Sequence, residues 1–403
     1  MIDQKKEKIQ IEATNRWVQN GKIGTVEVAT GHGKTFIAFR CILTMPKKSN
    51  VLFLAETQVR EKTIREDVTQ YKKFYGKDPL AGYNVKFGLY QSAHKYKLED
   101  WFPNNNPTIV VMDEIHDSIS EVYLNFAKNN LFGTNIARLG LSATIDRKSK
   151  YLIHGVETTK FKILEQFCPI IYTYSLQDSI DNKTTRDLRF FVVTHQLDRV
   201  NKTIKGGSAK KGFFLQTEES RYTYLHGEFM KSMFKNYPTA KAKESAIIAT
   251  ASRRARFLYS LPSKIIECKK LLSKLQDKTL VFGLDSKTLL SICPTAIVEE
   301  NKNWEKDLED FKSGKTLLGA SNKMLKQGEN VPGLKTVVFL AYFSKTVAFE
   351  QICGRNTRSK DLGNVIIFVT SGTQEESWFK SMTEGMNVPF IYCNSVDHLL
   401  KQI

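Results

Sequence analysis

The sequence predicts an α/β protein: two parallel sheets, each with helices on both faces, and a basic, mainly helical insertion or linker between them. Three observations carry this. Short β-branched and apolar runs alternate with longer amphipathic stretches, the pattern of strand–helix–strand units. That alternation is present twice, early and late in the chain. Between the two stretches, residues 198–256 hold thirteen Lys and Arg against five Asp and Glu, with seven aromatic residues interleaved.

In chain order, the early strands are TVEVAT (25–30), VLFLA (51–55), VKFGLY (85–90), TIVVMD (108–113) and ARLGLSA (137–143). Helical patterns such as KTFIAFRCILTM and ETQVREKTIREDVTQYKKFY lie between them. The late strands are KTLVFG (278–283), KTLLGA (315–320), KTVVFLA (335–341) and NVIIFVT (364–370). The predicted division is a first unit over 1–180, a linker strand and basic helical insertion over 181–270, and a second unit over 271–403. Within the insertion, KGGSAKKG (205–212) reads as a flexible basic loop, and the pattern turns helical from Glu218.

Net charge is +18, from 60 basic and 42 acidic side chains. A field of that sign draws polyanions, and nucleic acid is the leading candidate. The six cysteines form no CxxC pair and the seven histidines no HExxH, which argues against a zinc site or a disulfide framework. The longest apolar runs are too short to span a bilayer. The N-terminus lacks an apolar stretch after its charges, so a cytoplasmic location is expected.

Three short motifs carry chemistry. ATGHGKT (29–35) follows a predicted strand and opens a predicted helix, the setting of a phosphate cradle. Gly31 and Gly33 let the backbone approach phosphates, Lys34 reaches them with its charge, and the Thr35 hydroxyl suits Mg2+. Thr30 and His32 lie in the same turn, with the His32 side chain expected to face solvent. Val28 stands where the strict GxxxxGK[ST] pattern has glycine, so a plain strand–turn–helix connection stays open. TIVVMDEIHDS (108–118) ends a strand in adjacent carboxylates: Asp113 suits a metal shell, and Glu114 suits activation of a water. Alone, that ending also reads as a solvated acidic turn. In AFEQICGRNTRSKD (348–361), Arg355 and Arg358 share a helix face and could stabilise charge on a transferring phosphoryl group. Alone, they also read as a solvated helix end.

Taken together, ATGHGKT, DEIH (113–116), SAT (142–144) and QICGRNTR (351–358) resemble motifs I, II, III and VI of superfamily 2 helicases, in order and spacing. NKMLKQGENVPGLKTVVF (322–339) is similar to motif V, and VLFLAET (51–57) to motif Ia with Glu56 in place of a usual proline. The resemblance implies two tandem RecA-like motor domains, with ATP and Mg2+ bound through Gly31, Gly33, Lys34, Thr35 and Asp113. It implies Glu114 as catalytic base, His116 and Gln351 as γ-phosphate sensors, and Arg355 and Arg358 as arginine fingers. Gln10 would read adenine and Gly328 would sit beside the nucleotide. Ser142 and Thr144 would couple hydrolysis to nucleic-acid contact. Asn330 departs from the aspartate that relatives often carry near the ribose.

The finer pattern resembles DNA translocases of the branch-migration and restriction-motor kind, including compact bacteriophage recombination helicases of the UvsW type. This implies an ATP-dependent DNA helicase working 3′ to 5′ on forks, junctions or single strands, in replication, recombination or repair. It would be a monomer in host cytoplasm, meeting other recombination or replication proteins. An RNA helicase, an ATP-switched clamp and a restriction-motor subunit are the alternative readings. In the insertion, Phe213 or Tyr222 could stack on a base or wedge at a junction, or simply form a local core. Trp17 is expected to pack the N-terminal helix, and Cys353 to be a buried filler.

Overall fold

Two sets of continuous apolar strands build two six-stranded, all-parallel sheets, in units spanning Met1–Thr185 and Arg186–Ile403. The computed structural model describes residues 3–56, 58–93, 95–120, 124–147, 150–153, 156–185, 187–208, 212–322, 331–342, 349, 353, 362–384 and 386–403.

The first unit contains β1 (Ile23–Val28), β2 (Asn50–Ala55), β3 (Asn84–Leu89), β4 (Thr108–Asp113), β5 (Ala137–Ser142), β6 (Lys150–Ile153), β7 (Val156–Thr159) and β8 (Ile170–Tyr174). Its sheet runs β3-β2-β4-β5-β1-β8, and β6 and β7 pair as a separate hairpin. Period-two alternation sorts the side chains. Val51, Phe53, Ile109 and Val111 enter one core, while Leu52, Leu54, Val110 and Met112 enter the core on the opposite face. Burying one such side chain stabilises the fold by about 1.5–3 kcal/mol. Helix α1 (Gln4–Gln19) starts at Asp3, whose carboxylate accepts from the Lys5 and Lys6 amides. It packs through Trp17, which is fully buried and donates from Nε1 to Arg138 O at 2.9 Å. Helices α2 (Lys34–Leu43) and α3 (Gln58–Tyr75) follow β1 and β2.

The sheet order fixes the position of the site. The chain leaves β1, crosses over β5 and β4 to form β2, and returns to lay β4 and β5 between them. With every strand parallel, the turns after β1, β4 and β5 open at one edge, where doubly wound sheets hold their ligands.

The second unit contains β9 (Leu188–His195), β10 (Ile204–Ser208), β11 (Gly212–Gln216), β12 (Thr279–Phe282), β13 (Leu318–Ser321), β14 (Thr336–Phe339), β15 (Gly363–Thr370) and β16 (Phe390–Cys393). Its sheet runs β13-β12-β14-β15-β9-β16. The strand that leads out of the first unit, β9, thus lies inside the second sheet, in register with β15 from Leu188–Gly363 to His195–Thr370. Helices α4 (Glu218–Phe234) and α5 (Ala240–Tyr259) form an antiparallel pair, tied by Ser232 Oγ to Thr250 Oγ1 at 2.9 Å and by Arg254 over the Phe229 ring. Helix α6 (Pro262–Leu272) follows, and α7 (Gln374–Met382) anchors the pair: the Gln374 amide donates to the Tyr222 hydroxyl at 2.9 Å. Lys264 of α6 and Glu375 of α7 meet at 2.6 Å with both side chains essentially fully buried.

Two expectations need correction here. The 205–212 stretch is not a loop over its described residues: Lys205 to Ser208 belong to β10, and Gly212 opens β11. Glycines permit the close pairing, since a Cβ on Gly207 would stand 2.1 Å from Gly212 O. Tyr222 lies in a local core with Leu258 and Leu261, leaving its ring unable to meet a base. Cys353 is buried. Among the described residues, no helix is long and apolar enough to cross a membrane.

Candidate active site

The turn after β1 is shaped by two glycines with φ of +90° at Gly31 and +80° at Gly33, a region L side chains rarely adopt. Gly33 is the N-cap of α2, and no side chain caps the helix. The first amides of α2 therefore open onto the turn with the positive end of the helix dipole, an arrangement suited to anions. A Cβ on Gly33 would stand 2.6 Å from Gln10 Nε2, so the turn and α1 are in direct contact.

Two buried polar groups hold the turn. Gln10 Nε2 donates to His32 O at 3.0 Å, and its Oε1 accepts from Arg40 Nε at 3.4 Å. His32 is 1% exposed, which corrects the expectation that it faces solvent. Its Nδ1 lies 3.2 Å from Ala29 O and its Nε2 3.0 Å from Thr184 Oγ1, beside the Tyr174 ring. Burial, assisted by the Lys6 charge, brings its pKa down to about 4. The histidine is thus a neutral strut that ties the cradle to the end of this unit.

Charged groups converge above the turn. Lys34 Nζ meets Glu114 Oε1 at 2.6 Å. Burial alone would raise the Glu114 pKa, but Lys34, then His116 and Arg60, outweigh it and hold the carboxyl at about 2. Glu114 sits at φ +46°, a sparsely populated conformation for a residue with a Cβ. Asp113, one residue earlier at the end of β4, pairs with Arg60 of α3. Burial opposes the Arg60 charge, yet Asp113, Glu114 and Asp67 push its pKa up. Arg60 NH2 also lies 3.5 Å from Thr35 Oγ1. Tyr90 OH donates to Asp113 O at 2.8 Å, fixing the strand end.

The same edge continues to β5. His116 Nδ1 lies 2.9 Å from Ser142 Oγ, and that hydroxyl donates to Thr144 O at 3.0 Å. With its proton so engaged, the Ser142 oxygen accepts from Nδ1–H. Beyond it, buried Glu27 on β1 accepts from the Ile145 amide at 2.7 Å and pairs with Arg147. The 142–147 segment is therefore bonded both to the DEIH turn and to β1.

Gln10, Thr30, Gly31, His32, Gly33, Lys34, Thr35, Asp113, Glu114, His116, Ser142 and Thr144 are thus all found along one edge of the first sheet. Gly328, Asn330, Gln351, Arg355 and Arg358 lie outside the described residues. Sequence reasoning missed Arg60, Glu27 and Thr184. Glu27 left a signal, a carboxylate inside the otherwise apolar run TVEVAT. Arg60 left none, being one cation among many on a charged helix.

A nucleotide with a divalent cation suits this donor set. Asp113 Oδ1, Glu114 Oε2 and Thr30 Oγ1 are buried with no hydrogen-bond partner among the described residues. These, with Thr35 Oγ1, are hard oxygens of the kind Mg2+ prefers. The open amides at Gly33 and the Lys34 ammonium match phosphate oxygens.

Comparison with known proteins agrees in fold. Residues 4–147 match the family model described as type III restriction enzyme, res subunit. Sequence comparison with curated proteins finds no match. Among solved structures, Saccharomyces cerevisiae Dbp5 bound to RNA and ADP BeF3 is similar over 98% of this chain and 91% of that one, at 13% identity and TM-score 0.59. The ATP-dependent type ISP restriction-modification enzyme LlaBIII bound to DNA is similar over 100% of this chain and 32% of that one, at 13% identity and TM-score 0.59. A fragment of a putative HsdR subunit of a type I restriction enzyme from Vibrio vulnificus YJ016 is similar over 96% of this chain and 67% of that one, at 18% identity and TM-score 0.56. At these identities the likeness is one of fold: the chain has the α/β architecture of tandem RecA-like domains.

Proposed function

We propose that the chain is an ATP-driven nucleic-acid motor of the superfamily 2 helicase kind, acting on forked or branched DNA. The observation that carries this reading is the junction of the two motifs: Lys34, in a glycine turn at an open helix end, meets Glu114 at the end of β4 at 2.6 Å. A structural ion pair would not need the glycine cradle, nor buried carboxylate oxygens beside it that lack a hydrogen bond among the described residues.

In this reading Lys34 turns from Glu114 to the β- and γ-phosphates, and the α2 amides hold the same oxygens. Thr35 and Asp113 would hold Mg2+, which would supply neutralisation of charge on the phosphates. Glu114, freed of Lys34, takes the proton of the attacking water; with that cation gone, burial raises its proton affinity, while His116 and Arg60 still favour the ionised form. Gln10 steadies the cradle through its bond to His32 O, and by the family resemblance it would also read the adenine. Ser142, bonded to His116, and Thr144, whose carbonyl accepts from Ser142, relay the state of the phosphate edge to the nucleic acid. By the family resemblance, Gly328 and Gln351 would contact the nucleotide, and Arg355 and Arg358 would stabilise charge on the transferring phosphoryl group. The net charge of +18 and the family resemblance support a DNA track, with 3′ to 5′ movement along it.

The test is steady-state ATP turnover without nucleic acid and with single strand, duplex, fork, four-way junction and RNA of matched sequence. Stimulation greatest with forked or branched DNA is expected. Equal or greater stimulation by RNA would replace the DNA assignment, and turnover indifferent to every polymer would remove the motor reading.

A further inference from the structure

Resting on the motor reading above, we propose that the β10–β11 hairpin is a stacking platform for unpaired bases of single-stranded DNA. Three consecutive apolar side chains on β11, Phe213, Phe214 and Leu215, are 60%, 57% and 60% exposed. Consecutive residues point to opposite faces of a strand, so apolar surface is open on both faces of the ribbon. An isolated two-stranded hairpin is marginal in water, and a run of exposed aromatics is costly unless something covers it.

The register explains how the rings are presented. Phe214 lies opposite Gly206 and Phe213 opposite Gly207. A Cβ on Gly206 would stand 2.3 Å from Gln216 Nε2 and 2.9 Å from Phe214 Cε2, so the ring edge lies over bare backbone while more than half of the side chain stays exposed. Lys205 Nζ lies 3.9 Å from the centre of the Phe213 ring. On the adjoining helix α4, Tyr224 is 55% exposed with Arg221 over its ring.

Charge decides the occupant. A neutral or basic protein partner would match the apolar faces but not a segment with thirteen cationic side chains against five anionic ones. Single-stranded DNA matches both, having flat apolar bases on an anionic backbone. In duplex the base faces are already stacked on one another, so the platform suits the strand where pairing ends.

The test uses the full chain, a 20-residue deoxyoligonucleotide carrying 2-aminopurine, and the variants F213A/F214A and F213W/F214W. Wild-type protein is expected to quench the probe on binding. F213A/F214A should bind at least about 30-fold more weakly, the lower end expected for removing two base-stacking aromatics. It should lose the quench while keeping the ATP turnover measured without nucleic acid. F213W/F214W should retain both affinity and quench. Unchanged affinity and quench in F213A/F214A would overturn the proposal and leave the motor reading standing. So would light scattering that shows a wild-type dimer dispersed by F213A/F214A, since a second copy would then cover the rings. A wild-type chain that binds no strand at all would overturn both readings.

Discussion

Lys34 and Glu114, eighty residues apart in sequence, are joined by a 2.6 Å ion pair over the end of β5, the strand that separates theirs. Each is the other's partner in this pair. The cation suited to grip the nucleotide therefore neutralises the carboxylate suited to activate water, and the two roles become available together.

Replacing Glu114 by Gln keeps the shape and removes the base. Turnover is expected to fall by about 10²–10⁴-fold, with ADP and ATP binding retained because Lys34 loses its competing anion. Single-turnover hydrolysis beside fluorescent-nucleotide titration separates the two effects. Unchanged turnover would remove Glu114 from its role and favour an ATP-switched clamp.

Arg60 bridges Asp113 and comes within 3.5 Å of Thr35 Oγ1, the two residues proposed to hold Mg2+. Arg60→Gln leaves Asp113 without its partner in a nearly buried position. The nucleotide-free protein should lose about 3 kcal/mol, as when one member of a buried pair is removed. Mg2+-dependent nucleotide binding should tighten, about tenfold if the removed competition is worth about 1.4 kcal/mol. Denaturation with and without Mg2+ and ADP measures both; weaker Mg2+-dependent binding would make Arg60 a supporting residue instead.

His32 gives the fold a pH dependence. Its pKa is lowered from 6.5 to about 4 in the folded chain. Between those values the unfolded chain holds a proton that the folded chain refuses, so stability rises with pH across the window. The contribution is fully present above pH 6.5 and is lost as pH falls toward 4, by about 3 kcal/mol at 1.36 kcal/mol per pKa unit. Denaturation from pH 7 to 4 should show this slope, and His32→Asn should flatten it while lowering stability at pH 7.

In the second unit, Lys264→Met strands Glu375 in a fully buried site. A loss of about 3–5 kcal/mol is expected. Adding Glu375→Gln should recover part of it, because the Thr370 amide still has an oxygen to bond at that position. A single variant as stable as wild type would show that the pair is not needed to dock α6 on α7.

Legibility in the sequence followed burial. TIVVMD was readable to the residue as β4 because both its faces are covered, giving an unbroken apolar run. The edge strands β8 and β16, IIYTY and FIYC, are half-exposed and went unnamed. Residues 205–208 and 212 read as loop because glycines are usual in loops, but here they admit a partner strand. At the site, contiguous motifs identified the cradle and the acids. What was hidden depends on long-range pairing: Arg60 finds Asp113 across 53 residues, and His32 finds Thr184 across 152. Neither partner can be named until the sheet order is known.

The most direct measurement is phosphate release from ATP, with and without single-stranded DNA, by wild type and Lys34→Ala. The account predicts DNA-stimulated release by wild type and background release by the variant, whose fold is verified by circular dichroism. Release by Lys34→Ala at the wild-type rate would contradict it.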